Sequence, residues 1–299
     1  MVDEKATCRY YAQTVILEDS VGFSRHALAF LRRPCAEHLH RARVSLRRIN
    51  NLLEIFNDVL PYPRLKKWRR SIALAGKALG RGRDLDVWTH LLKGRLAKVP
   101  AARQRSGRAL IGYLEREREQ EQSLAQKILA RLEERGIFKE VRAALGPARR
   151  CPRNNQALRA MGRQKISKRL KRFLAASSCA RRPQDGKGLH RLRIKGKKLR
   201  YTLESFERVF GPSTKYFYTS VYALQTALGE LHDAEMLVAF LQGLKNQGVE
   251  GIDRAALDSW RGLFAASRRA AYKRFLRLWN KAEKQKFWKA LESFIERPS

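Results

Sequence analysis

Two stretches of this chain repeat one another at a fixed distance, and this repeat restricts the possible folds more than any other feature. HRARVSLRRINNLLEIF begins at His40 and HRLRIKGKKLRYTLESF begins at His190, so matching residues lie 150 positions apart. Further along, ALGRGRDLDV matches ALGELHDAEM at an offset of 149, and FKEV resembles WKAL at an offset of 150. Three matches in nearly one register predict an internal duplication.

The apolar residues recur at the helical period almost throughout, and no sustained alternation indicates a strand. This pattern predicts an all-α fold with helices over residues 20–33, 35–60, 63–98, 101–145, 154–178, 187–210, 214–246 and 253–296. GPARRCPRNN, from residue 146, has the prolines and glycine of a linker, and SSCARRPQDGKG, from residue 177, is a second loop. With the repeat, these breaks predict two similar helical bundles, at 1–150 and 151–299.

The first copy of the repeat predicts an amphipathic helix whose core stripe is flanked by cations. With about 100° between successive residues, the apolar positions fall in one stripe: Leu39, Ala42, Leu46, Ile49, Leu53 and Phe56. The next stripe holds His40, Arg43, Arg47 and Asn50, while Arg41 and Arg48 point to the opposite side. The second copy has an equivalent core stripe of Leu189, Leu192, Leu199, Leu203 and Phe206. Its flanking stripe is His190, Arg193, Lys197 and Arg200. Cations beside a core stripe lie at the edge of a helix interface, so we expect them to line a groove.

The charge of the chain points to a polyanionic partner. Lys and Arg total 64 against 28 Asp and Glu, and the net charge of +36 disfavours compactness through self-repulsion. The candidate partners are nucleic acid, polyphosphate and an anionic membrane or polymer surface. Any one basic run is compatible with a solvated helix face. The recurrence of His, Arg and a third cation at i, i+3 and i+7 in both copies favours an anion site.

Other motifs set limits on compartment and chemistry. Cys8, Cys35, Cys151 and Cys179 form no CxxC pair and no metal-ligand spacing, which favours reduced thiols in a cytoplasmic protein. The opening MVDEKATCRYY lacks the apolar region of a signal peptide, and no run of 18 apolar residues predicts a membrane span. Signatures of P-loop, GxSxG, HExxH and kinase sites are also missing, so we expect neither an enzyme nor a cofactor or metal site.

Two acidic groups are expected to be structural. Glu115, Glu117, Glu119 and Glu121 lie in a helical pattern, where residues two positions apart do not share a face, so charge pairs are expected there. Asp84 and Asp86, with Asp233 and Glu235 in the repeat, are expected either to cap helix starts or to pair with arginines such as Arg83. The five tryptophans occur at helical spacings among apolar residues, which predicts core packing.

The paired motifs resemble a known family. HLHRARVSLRRINNLLEIF with LGRGRDLDV, followed by LHRLRIKGKKLRYTLESF with LGELHDAEML, is similar to the CHAD domain, the conserved histidine α-helical domain. The resemblance covers nearly the whole chain. It implies two helical bundles related by a pseudo-twofold axis, with a basic central groove or pore that binds inorganic polyphosphate. It also implies association with polyphosphate granules. The CYTH triphosphatase domain often fused to the family needs strands that this sequence does not predict, so a stand-alone CHAD domain is expected.

The resemblance also implies a set of polyphosphate-binding residues. The first motif contributes His40, Arg43, Arg47 and Arg48, and the second contributes His190, Arg193, Lys197, Lys198 and Arg200. The chain departs from the family pattern at Asn50 and Asn51, where a further cation is common, and at Gly196. The first departure predicts two chemically unequal half-sites.

Three functions are open to a chain with this charge. Polyphosphate has a negative charge on each phosphate and no bases, so it needs regularly spaced cations and no stacking platform; Arg supplies bidentate contacts and His supplies donors that respond to pH. Nucleic-acid binding fits the charge equally well and is expected in a weaker form at low salt, but no helix-turn-helix, zinc-finger or RNA-recognition signature is present. An enzyme acting on phosphoanhydrides would need an acidic metal cluster or a nucleophile. Non-catalytic polyphosphate binding is therefore preferred, with a polyphosphate-metabolising enzyme as a candidate partner.

Overall fold

The computed structural model of the chain describes residues 4–60, 62–146 and 156–296, and these form an all-α protein. The helices are α1 (Glu4–Arg32), α2 (Ala36–Ile55), α3 (Leu65–Ala78), α4 (Gly80–Leu96), α5 (Ala101–Glu134), α6 (Ile137–Leu145), α7 (Gln156–Ala175), α8 (Gly186–Ser205), α9 (Glu207–Phe210), α10 (Ser213–Gln247), α11 (Arg254–Lys284) and α12 (Phe287–Glu296). A 3₁₀ turn lies between α7 and α8. Within the described ranges the only β contact is one isolated bridge. None of the described helices combines the length and apolar content needed to cross a bilayer.

Several helix boundaries differ from the predicted ones. Helix α1 begins at Glu4 instead of residue 20, and buried residues such as Ala12 and Ile16 pack these additional turns into the core. The predicted helices 101–145 and 253–296 are each divided where one residue takes a positive φ, at Gly136 and Lys286. The predicted linker lies outside the described residues apart from Gly146, which ends α6.

The repeated helices α2 and α8 lie at the centre of the molecule and bury the predicted core stripes. Each apolar stripe residue of both copies is at most 5% exposed. Phe56 and Phe206, equivalent residues of the two copies, meet with ring centroids 5.6 Å apart. A Cβ atom at Gly196 would lie 3.2 Å from the ring of Phe173, so the glycine permits the close approach of α7 and α8. All five tryptophans are buried, as predicted.

Two buried clusters hold the helices together, and each takes residues from both halves of the chain. The larger cluster combines α1, α2, α3 and α6 with α7, α8 and α12, and with parts of α5, α10 and α11. The smaller cluster joins α4 and the first part of α5 to the second part of α10 and the first part of α11. The division at residue 150 remains a prediction, and the packing of the core does not follow it.

Two ion pairs between the halves occur at equivalent places in the repeat. Arg48 Nη2 lies 3.1 Å from Glu204 Oε1, and Lys198 Nζ donates to both carboxylate oxygens of Glu54 at 3.0 Å. Arg48 corresponds to Lys198, and Glu54 corresponds to Glu204, at the offset of 150. This reciprocal exchange is the contact pattern that a twofold relation between the halves would give, although the duplication itself remains a prediction.

Candidate anion-binding groove

A basic groove with a volume of about 420 Å³ opens between α2, α4, α8 and α10. Its cationic and imidazole side chains are His40, Arg43, Arg47, Arg83, Arg193, Lys197, Arg200 and His232. The acidic side chains in its lining are Asp84, Glu230 and Asp233. Helices α2 and α8 supply most of the cations because most residues of the flanking stripe of each repeated helix face this groove.

Two arginines at equivalent positions lie deep in the groove wall. Arg43 is 9% exposed and Arg193 is 8% exposed. Each lies across from a glycine of the second repeated motif: a Cβ at Gly80 would lie 3.9 Å from Arg43 Nη2, and one at Gly229 would lie 3.9 Å from Arg193 Nε. The two guanidinium groups therefore pack beside small residues on α4 and α10 and face the space between the halves.

The arginines of the groove have more donors than the protein satisfies. Arg43 has two buried donor atoms, Nε and Nη1, without a hydrogen-bond partner among the described residues. The buried Nε atoms of Arg47, Arg193 and Arg200 also lack a hydrogen-bond partner within the described part of the chain. Buried polar groups are normally hydrogen-bonded, and an unsatisfied charged donor is especially costly. An oxyanion in the groove would satisfy these donors.

Among the arginines of the groove, Arg83 alone has full carboxylate pairing within the described residues. Its Nη1 and Nη2 atoms donate to the two oxygens of Asp233 at 2.9 and 3.0 Å, and Nη1 also donates to Asp84 at 3.1 Å. Arg193 makes a longer contact with Asp233, at 3.9 Å. Burial opposes the charge of Arg83, but the hydrogen bonds that it donates to Asp233 and Asp84, together with the charges of these carboxylates, outweigh burial and raise the pKa of the guanidinium. Two carboxylates of the groove, Asp84 and Asp233, therefore pair mainly with Arg83. The other cations of the groove outnumber the carboxylates available to pair with them.

Burial and mutual repulsion perturb the other cations. Burial, together with the charges of Arg193 and Arg47, lowers the pKa of Lys197 to about 7. Burial and the charge of Arg47 lower the pKa of Arg43 to about 10. The pKa of His40 is also lowered, first by burial and then by Arg47. A bound anion would reverse these shifts, because it favours the charged form of each group.

The structure brings together six of the nine residues predicted to bind polyphosphate. These are His40, Arg43, Arg47, Arg193, Lys197 and Arg200. Arg48 and Lys198 lie outside the groove lining, in the ion pairs between the halves described above. His190 also lies outside it and faces His232, with the two Nδ1 atoms 3.4 Å apart. The predicted symmetry of the two histidines is therefore not present: His40 reaches the groove and His190 does not.

The sequence did not identify several lining residues. Arg83, Asp233 and His232 belong to the second repeated motif, whose acids had two predicted roles. Pairing is the role the structure shows, because Asp84 pairs with Arg83, Asp86 pairs with Arg118, and Asp233 lies inside α10 instead of at its start. The repeat gave no direct signal for this contact, because at the motif's offset of 149 Arg83 corresponds to His232 and Asp84 corresponds to Asp233.

An aromatic pair flanks one end of the groove, which the sequence did not indicate. The guanidinium of Arg200 lies 4.3 Å from the ring centroid of Tyr201 and 5.2 Å from that of Tyr222. Tyr222 is exposed, whereas Tyr201 is buried. The ring faces hold the Arg200 side chain through cation–π contacts and limit the directions in which it can donate.

The acidic string on α5 is used in ion pairs between helices. Glu115 pairs with Lys93 on α4, and both Glu117 and Glu121 pair with Arg81. Across residues 4–60, 62–146 and 156–296, no group of three or more His, Cys, Asp or Glu side chains is arranged to hold a metal ion. Cys35 and Cys179 are free thiols.

The chain is similar in sequence and in fold to known proteins. The family model of the CHAD domain matches residues 22–242. One similar solved structure is the CHAD domain from the plant Ricinus communis, with 23% identity, a TM-score of 0.68, and coverage of 88% of this chain and 91% of that one. Another is PptA from Streptomyces chartreusis, with 20% identity, a TM-score of 0.69, and coverage of 92% and 99%. No curated protein matches the chain. At these identities the structural similarity shows a shared fold.

Proposed function

Because the chain belongs to the CHAD domain family, and because its groove holds arginines with unsatisfied donors, we propose that it binds inorganic polyphosphate there without catalysis. The single observation that carries this proposal is the set of buried, unpaired arginine donors on α2 and α8. Successive phosphates of a linear chain supply acceptor oxygens on all sides, and guanidinium groups bind such oxygens through charge-assisted hydrogen bonds.

The depth of these donors favours polyphosphate over duplex nucleic acid. Arg43 and Arg193 are about nine-tenths buried, so a ligand must enter the groove to reach them. A chain of phosphates without sugars or bases is thin enough to do so, whereas a duplex presents its phosphates on a wide, rigid surface. Duplex DNA would meet the exposed cations alone, and its binding should weaken steeply as salt rises.

A competition experiment tests this choice of ligand. Long-chain polyphosphate and duplex DNA are titrated against the full chain at equal phosphate concentration in about 150 mM salt, where non-specific binding is weak. We expect polyphosphate to displace DNA. Equal or tighter binding of DNA or RNA under these conditions would overturn the proposal in favour of a nucleic-acid-binding protein.

A pair of charge-matched variants tests the location. Arg47→Glu with Arg200→Glu removes two groove cations, and Arg105→Glu with Arg108→Glu makes the same change of charge on an exposed part of α5. We expect the groove variant to lose polyphosphate affinity by at least tenfold more than the control, while its circular dichroism stays unchanged. Equal losses would show that net charge, and not the groove, controls binding.

The same variants test the cellular and catalytic parts of the proposal. A chain that binds polyphosphate in this way is expected at polyphosphate granules, and the groove variant should leave them while the α5 control remains. We assign no bond-breaking step to the groove. Release of orthophosphate from polyphosphate by the purified chain, absent from the groove variant, would contradict that assignment.

A further inference from the structure

A second basic pocket lies on the other side of α2, away from the groove. It has a volume of about 220 Å³ and lies where the end of α2 meets α3 and α7. Its cations are Arg69, Lys165, Lys168, Arg169 and Arg172, and its carboxylates are Glu54 and Asp58. None of these cations belongs to the groove or to the repeated histidine motif.

The cations of this pocket outnumber its two carboxylates. Glu54 accepts from Arg169 at 2.9 Å and from Lys198 at 3.0 Å, and lies 3.6 Å from Arg69. Asp58 pairs with Lys165. Lys168 and Arg172 have no ion pair within the described part of the chain and are exposed at the mouth of the pocket.

Two arginines of this pocket have guanidinium groups placed to bind an anion. Arg169 is 8% exposed, and its contact with Glu54 holds its guanidinium in the pocket wall. The Nε atom of Arg69 is buried and has no hydrogen-bond partner among the described residues. This unsatisfied donor and the unpaired Lys168 and Arg172 lie around the same small cavity.

The other half of the chain provides an internal comparison. At the offset of 150, Lys168 corresponds to Glu18, and Arg169 corresponds to Asp19. In that half Glu18 pairs with Arg208 and Asp19 pairs with Arg48, and the equivalent pocket has more carboxylates than cations. Equivalent positions of the fold thus carry carboxylates in one half and cations in the other. The positive excess is a property of the α7 side and not a requirement of the fold.

From this geometry we propose a second anion site between α2, α3 and α7, which binds the phosphate groups of an oligophosphate. Arg169 and Arg69 form its fixed inner wall, and Lys168 and Arg172 close over the ligand from α7. The ligand is either a stretch of a polyphosphate chain that also occupies the groove or a separate short oligophosphate. The site does not depend on ligand binding in the groove.

Tripolyphosphate titration by calorimetry tests the site. The wild-type chain should bind two equivalents, and Arg47→Glu with Arg200→Glu should leave one. Adding Lys168→Glu and Arg172→Glu to that groove variant should remove the remaining equivalent. Adding Lys127→Glu and Arg131→Glu, an exposed Lys and Arg at the same i, i+4 spacing on α5, should retain it.

The outcomes separate this site from the groove. If the groove variant binds no tripolyphosphate while the wild type does, the second site is overturned and the groove is supported. If Lys168→Glu with Arg172→Glu and the α5 control weaken binding equally, the pocket is a non-specific cationic surface and the proposal fails. Lys168→Gln with Arg172→Gln replaces the charge-reversed pair if that pair changes the circular dichroism.

Chain length distinguishes the two sources of phosphate. A long chain that spans both sites gains affinity from the high effective concentration of its second segment. In that case Lys168→Glu with Arg172→Glu should weaken long-chain binding at least tenfold more than it weakens tripolyphosphate binding to the groove. Equal effects on both ligands would identify the site as one for a separate oligophosphate. The two-equivalent stoichiometry decides whether the second site exists, and this comparison decides which of the two ligands it takes.

Discussion

Neighbouring cations in the repeated motif have different roles. Arg47 faces the groove with an unsatisfied Nε, whereas Arg48 pairs with Asp19 and Glu204. A rotation of about 100° per residue separates adjacent side chains on a helix, so a run of two cations cannot share one face. The helical positions predicted this separation for Arg48, while resemblance to the family motif grouped it with the groove. The position of Arg48 on the helix therefore predicted its location better than the family motif did.

Lys197 should make polyphosphate binding depend on pH in the neutral to alkaline range. Its pKa is about 7 in the unliganded protein, and a bound polyanion raises it, so binding takes up a proton when the pH exceeds that value. Affinity should therefore strengthen as the pH falls toward about 7 and should then level off. Lys197→Arg, which stays charged, should flatten this dependence. Titrations in buffers of different ionisation enthalpy measure the proton uptake, and an unchanged profile in the variant would exclude Lys197.

His40 should add a separate dependence at lower pH. Burial and Arg47 hold its pKa below the ordinary 6.5, and an anion in the groove raises it, so affinity should increase as the pH falls through this lower range. His40→Gln should remove the increase. His190→Gln is the control, because His190 lies outside the groove lining against His232. If both substitutions changed the profile equally, the two histidines would act as symmetric ligands after all.

The helices show which parts of this fold the sequence could predict. The core and cationic stripes of α2 and α8 follow from the helical period alone. The break between α3 and α4 has a local cause, because Gly80 and Gly82 are poor helix formers, whereas the equivalent stretch of α10 has only Gly229 and continues unbroken. The contributions of Arg83 and His232 to the groove could not be predicted, since they depend on how α4 and α10 pack against α2 and α8.

Gly107 should control the packing of α5 against α11. A Cβ at this position would lie 2.5 Å from the Trp260 ring and 2.6 Å from Leu96 Cδ1, so Gly107→Ala forces a shift in a packed core. We expect the free energy of unfolding to fall by about 1–3 kcal/mol, the usual cost of overpacking. Gly262→Ala on α11 has open space and should raise stability by up to about 1 kcal/mol. Denaturant titrations with equal m-values decide the comparison, and a neutral Gly107→Ala would contradict this packing.

At the scale of the whole molecule, the halves are held together by shared cores and by charges exchanged across their interface. Glu54 connects α2 of the first half to α7 and α8 of the second. Its carboxyl group is buried enough to resist ionisation, but hydrogen bonds from Lys198 and Arg169 outweigh burial and hold its pKa below the ordinary value. The ionised form of Glu54 therefore stabilises the assembled molecule.

Replacing this carboxylate should destabilise the fold and change its acid sensitivity. Glu54→Gln should lower the free energy of unfolding by about 1–3 kcal/mol, because hydrogen bonds to charged groups are lost. Since the folded pKa is depressed, the stabilisation is present above the ordinary pKa of 4.5 and is lost as the pH falls through the folded value. Thermal unfolding from pH 7 to pH 3 should show this loss in the wild type and in the exposed-site control Glu250→Gln. A Glu54→Gln variant as stable as the control would show that the pairing contributes nothing.

The interleaving of the two halves also affects the order of events during synthesis. When the first half emerges from the ribosome, α2 can already pack against α1 and α3, but Phe56 lacks its partner Phe206 on α8, which is still to be translated. Phe173 of the second half likewise packs against Trp279 and Trp288, which are among the last of these core residues to appear. The nascent chain must therefore remain both strongly cationic and incompletely packed until α12 is released, while it lies beside ribosomal RNA, itself a polyanion. The cell would have to keep the nascent chain from binding that RNA until folding is complete. The folded protein no longer has this requirement.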